Sequence, residues 1–288
     1  MLYTLNQSLF AGLRRNHQSD PMEIVEVGVN EASVFKGFCP THDTSLFAPA
    51  ETTDERKKSG LARSLHLRAI SLEYCRKRQV VDQLKIIIEM STSVDVLHLY
   101  RDAIRSYEAS AANISAYLYK YLLHGSDCNH WPIDYFLIPF SKNINVSCCG
   151  VFNHLKLRHL PIIAYNVVSY ASDTMLALTT LGDSHATMNS FLADYRSNNG
   201  VERLVNDIVF RKGEEPLISA RLWRSLSDSE KLDIRLSLVH PSYRSLEMAP
   251  RIVKLVPTDF LTDMTPTVVT RLGHLEGIVA FPTGLPNA

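Results

Sequence analysis

Hydrophobic positions along the chain change their rhythm twice. From Ile24 the pattern "MEIVEVGVNEASVF" places apolar residues in near alternation, at Ile24, Val25, Val27 and Val29, which predicts a short strand and then a turn. From Asp54 to about Met90 the spacing becomes helical, with Leu61, Leu65, Ile70, Val81, Leu84 and Ile88 among the recurring positions. A second helix is predicted over Val94 to Leu123, with Leu97, Tyr100, Ile104, Ile114 and Leu118 inward and Gly125 as a stop. The short "STS" between the two helices predicts an antiparallel pair.

Beyond Trp131 the runs shorten and become β-prone: "DYFLIPF", "INVSCCGVF", "LPIIAYNVVSY" and "TMLALTTL" read as strands. Helices are then expected over Ala186 to Arg196, Val201 to Phe210 and Ser227 to Val239. The last opens on a capping box, since Ser227 stands three residues before Glu230. The tail, rich in proline, threonine and glycine, reads as loop. The expected class is α+β, in three zones: a small N-terminal element over 1–51, a long antiparallel helical pair over 52–126, and a strand-rich α+β body with an extended C-terminal tail over 127–288.

Composition narrows the classes. At 288 residues, with 45% hydrophobic and 21% charged, the chain suits a globular protein with a sizeable core. Thirty basic residues against thirty acidic ones remove any global attraction to nucleic acid or anionic membrane, so attraction must come from a local patch. The N-terminus lacks the features of a secretory signal, and no apolar run is long enough for a membrane span. Five cysteines, two of them adjacent (Cys148 and Cys149), suit a reducing, cytoplasmic setting better than a disulfide framework.

The stretch "GFCPTHDTSLF", residues 37–47, carries the most suggestive chemistry. Cys39 and His42 are close enough on a turn to share one zinc ion, but a structural zinc site needs four ligands. The plainer alternative is a turn whose cysteine packs inward. The segment "VGVNEASVFKGFCPTHDTSLFAPAE" resembles bacterial proteins related to HNH nucleases, over about 25 of the 288 residues. The resemblance implies that this element is the latter half of a treble-clef zinc finger, with Cys39 and His42 as ligands and Asp43 as a polar neighbour. In that family an earlier Cys-x-x-Cys supplies the first half, and a histidine in between begins the nuclease core.

No cysteine precedes Cys39 here, and His17 is the one upstream histidine. Three explanations stay open at this level: a lost first half, a start assigned too late, or a fold kept without the chemistry. The expectation is a degenerate element without intact nuclease activity, because such a reaction needs a histidine to activate water and a metal to stabilise charge on phosphate. An active metal-dependent nuclease that takes its histidine from elsewhere in the chain is the catalytic alternative. "HGSDCNHW" offers Cys128 and His130 as completing zinc ligands; the competing reading is a polar loop in which His124 meets the carbonyls of the helix end.

The first long helix carries nine basic against five acidic residues over 54–90. Arg68, Arg76, Lys77 and Arg78 are the candidate phosphate contacts for DNA or RNA, against the alternative of a solvated helical face. A protein partner is the other expected occupant, and no membrane is expected. The tyrosines of the second helix read as core or helix–helix contacts, and Cys148 and Cys149 as buried small apolar residues. No phosphate-cradling glycine loop, dinucleotide fingerprint or Gly-x-Ser-x-Gly elbow is present, which argues against the common nucleotide-dependent and hydrolase classes.

Overall fold

In the computed structural model the described residues are 2–5, 24–27, 58–90, 94–123, 133–140, 143–152, 163–169, 174–181, 191–192, 195, 200–212, 216–239, 267–270 and 277–280. Strands β1 (Leu2–Leu5) and β2 (Ile24–Val27) come first, followed by helices α1 (Lys58–Met90) and α2 (Val94–Leu123). Four strands follow: β3 (Ile133–Phe140), β4 (Val146–Phe152), β5 (Ile163–Ser169) and β6 (Thr174–Leu181). Helix α3 (Gly200–Asn206) runs into a π-helical turn (Asp207–Lys212), then β7 (Leu217–Ser219), α4 (Ala220–Ser225) and α5 (Asp228–Val239). The described chain ends with β8 (Thr267–Thr270) and β9 (Gly277–Ala280), where the sequence pattern predicts loop. Helices and sheet together make the class α+β, as the sequence predicts.

The strands form one sheet in the order β2-β1-β7-β4-β5-β6-β3-β8-β9, and every pairing is antiparallel. Its centre is fixed by side-chain alternation. In β3, Ile133, Tyr135 and Leu137 face the side covered by α1, whereas Phe136, Ile138 and Phe140 face the side covered by α3, the π turn and α5. β6 divides in the same way, with Ala177 toward α1 and Leu176 and Leu178 away from it. Two buried faces explain why these strands read as continuous apolar runs instead of alternating ones.

α1 links the layers. Its first half lies on β3, β4, β5 and β6, and α2 packs along it in antiparallel fashion, with Ile70 near Ile114 and Val81 and Leu84 near Ile104. Residues 61–67 are buried, with the sheet on one side of this part of α1 and Leu118 of α2 packed against the same cluster. The helical pair and the strand-rich body therefore share a core. The distal half differs: the cluster of Val81, Leu84 and Ile104, with Val80, Ile87, Ile88, Tyr100 and Ala103, is drawn from α1 and α2 alone.

On the opposite face, Tyr165 lies across Gly150, its register partner on β4, and a Cβ at Gly150 would collide with the Tyr165 hydroxyl. The glycine is what lets the ring lie flat against the neighbouring strand.

Candidate functional site

The burial of α1 carries polar groups into the interior. His66 is fully buried, and Arg63, Ser64, Ser71, Glu73 and Arg76 are buried with it. His66 Nδ1 lies 2.8 Å from Thr179 Oγ1 on β6, and its Nε2 lies 3.3 Å from the Tyr117 hydroxyl on α2. Both contacts are met by a neutral ring, one nitrogen donating and the other accepting, since each hydroxyl can take either role. Burial pushes the imidazole down to about 3, opposed by a hydrogen bond to the Thr179 backbone. One residue thus ties α2, α1 and the sheet together.

Further along the same face, Asn166 Nδ2 donates to the Leu65 carbonyl at 3.2 Å. Arg76 Nη1 donates to the Cys149 carbonyl at 3.2 Å, joining α1 to β4. Lys77 Nζ meets Glu73 Oε1 at 2.7 Å, with both side chains largely buried, and lies over the Tyr107 ring at 5.6 Å.

A hydroxyl and an imidazole at 2.8 Å have the spacing of an activated nucleophile. Both groups are wholly buried, however, so the pair fastens layers instead of presenting an oxygen to substrate. Nor are the thiols activated. Cys148 is buried and raised by that burial, and Cys75 is raised for the same reason. Cys148 and Cys149 point to opposite faces of β4, as neighbours in a strand must, and Cys149 is only half-buried.

A second polar cluster sits at the π-helical turn. The Tyr195 hydroxyl donates to buried Asp207 Oδ2 at 2.9 Å, and the Arg203 guanidinium lies over the Tyr195 ring at 5.1 Å. Asn206 Nδ2 donates to the Glu202 carbonyl at 2.8 Å, four residues back. That side chain competes for a carbonyl of the helical ladder where the wider π turn begins. The sequence pattern predicts one helix over Val201 to Phe210 and contains no cue for this change of pitch.

Of the residues singled out by sequence, Cys39, His42, Cys128 and His130 lie outside the described residues. No group of three or more His, Cys, Asp or Glu placed to hold a metal occurs among the described residues. The four basic candidates do not share one face. Arg76 turns into the interior, Lys77 pairs with Glu73, Arg68 is half-buried, and Arg78 alone is exposed. The tyrosines of α2 divide as well: Tyr117 reaches His66 and Tyr100 joins the distal cluster, whereas Tyr119 and Tyr107 are exposed. No helix among the described residues is long and apolar enough to cross a membrane. Compared with family models, curated proteins and solved structures, the chain matches none.

Proposed function

We propose that this is a nucleic-acid-associated protein of bacterial or phage origin, acting in the cytoplasm in defence or mobile-element biology, that binds without cutting. The observation that carries this reading is the element at residues 37–47, with its Cys39 and His42 and its resemblance to HNH-related proteins. In it, Cys39, His42, Cys128 and His130 form a structural zinc set that stiffens the turn. The inward roles of Arg76 and Lys77 leave exposed Arg78, with exposed Arg101 and Arg105 of α2, as the phosphate contacts. Exposed Ile86 and Met90 favour protein contact as a second reading.

The test is a salt series of binding titrations with labelled duplex DNA, single-stranded DNA and RNA, beside metal analysis of the purified protein. Affinity should fall linearly with salt on logarithmic axes, and Arg101→Gln on exposed α2 should weaken binding and reduce the slope by about 1. Arg76→Gln should lower the melting temperature instead. About one zinc per chain is expected, from the single four-ligand set. Absence of binding at low salt would overturn the nucleic-acid reading, and cleavage dependent on magnesium or manganese would replace it with the active nuclease.

A further inference from the structure

The distal half of the helical pair presents an outer face with a regular charge pattern. Arg78, Asp82, Lys85 and Glu89 are all exposed on α1. At about 100° per residue they fall within one stripe along the helix. Their signs alternate: plus, minus, plus, minus. Beside this stripe lie Ile86, 44% exposed, and Met90, 70% exposed, one turn apart. The inward side of the same segment is occupied by Val81 and Leu84 against α2, so the outer face is a separate surface.

We infer that this face is a contact with a second copy of the chain, in which two α1 helices pack antiparallel about a two-fold axis. The charge order commits it to that occupant. With the axis passing between Gln83 and Leu84, Arg78 stands opposite the partner's Glu89 and Asp82 opposite the partner's Lys85. Two-fold symmetry repeats both pairs, so each of the four charges on either helix meets its opposite. A two-fold axis across antiparallel helices also places like flanks together. The Ile86 and Met90 side of one copy therefore meets the same side of the other.

A parallel arrangement in register would set each charge against its own kind, which costs energy. Lys85 already meets Glu108 of its own α2 at 2.9 Å, so its intermolecular pair extends an existing exposed network. Arg78, Asp82 and Glu89 form no ion pair among the described residues, and Arg78 and Glu89 are the cleaner probes. The contact is made by the two α1 helices, with Ile86 along its edge, and α2 of each copy stays on the inward side of its own α1.

Sedimentation equilibrium of the full chain without nucleic acid tests this, with circular dichroism to confirm folding. The wild type should associate reversibly as a dimer. Glu89→Arg should weaken the dimer about tenfold, because both symmetry-related pairs become repulsive. Arg78→Glu should do the same, and the double variant R78E/E89R should return to within about threefold of wild type, because its pairs are restored with the signs exchanged. Ile86→Lys should dissociate the dimer without changing the fold.

A wild type that stays monomeric at high concentration overturns the inference. So does a dimer indifferent to E89R, or a double variant that fails to recover. The outcomes are separable from the nucleic-acid reading. E89R adds positive charge while breaking the dimer, whereas R78E/E89R restores the dimer with Arg78 gone.

Discussion

His66 shows how one residue can make the folded state sensitive to acid. Burial holds its folded pKa at about 3, whereas the unfolded ring titrates near 6.5, so the unfolded chain takes the proton first as pH falls. Its contribution is complete above the unfolded pKa and is lost toward the folded one, at up to about 1.4 kcal/mol per pH unit. Between about pH 7 and pH 5 this residue should remove about 2 kcal/mol of stability, measurable as a shift in the urea midpoint. His66→Gln should cost about 1–3 kcal/mol at neutral pH through its unmet partners and should flatten that acid dependence. An unchanged acid limb in the variant would remove His66 as the cause. Nothing in helical periodicity singles this residue out, because a polar residue in an amphipathic pattern reads as outward. The run of buried positions on either side of it arises from enclosure between layers, which a one-dimensional pattern does not express.

At the scale of elements, local signals hold where they are self-contained. The capping box forms as its spacing predicts: Glu230 N–H donates to Ser227 Oγ at 3.3 Å, and Ser227 N–H donates to Glu230 Oε2 at 2.8 Å. Ser227→Ala should destabilise the protein by about 0.5–2 kcal/mol, read from thermal unfolding, with Ser227→Asp nearly neutral. Equal loss in both variants would mean that the cap is not what the residue supplies. A companion cap, Ser219 Oγ accepting from Leu222 N–H at 3.1 Å, opens α4 and was not legible, because that helix is too short to show a period. β7 escaped for the same reason, at three residues. The long helices were legible because their pattern extends over several turns, and β3 to β6 because each is a β-prone apolar run of seven or eight residues.

In the whole molecule, α1 joins two regions of unequal support. Its first half is clamped between the sheet and α2, whereas its distal half relies on a cluster made by two helices alone. Hydrogen exchange on dilute, monomeric protein should show the amides of Val80–Met90 and Val94–Ala103 opening locally, with protection about tenfold or more below that of β5 and β6. Uniform protection along α1 would contradict this division. Association through the outer face of α1 should raise protection in the distal half selectively as concentration rises.

The sequence by itself determined the class, the two long helices, the four central strands and the cap of α5, since each follows from local periodicity or a short-range hydrogen bond. It also supplied the Cys39 and His42 element on which the nucleic-acid reading rests. Only the tertiary structure decided where the charges of α1 go. Arg76 and Lys77 are adjacent in a basic run, yet one is drawn to the Cys149 carbonyl of a strand 73 residues away and the other to Glu73. Arg78, the next residue, is left in solvent. Helical rotation sets the three at different angles, and only the packing of sheet and α2 around the helix decides which angle is inside.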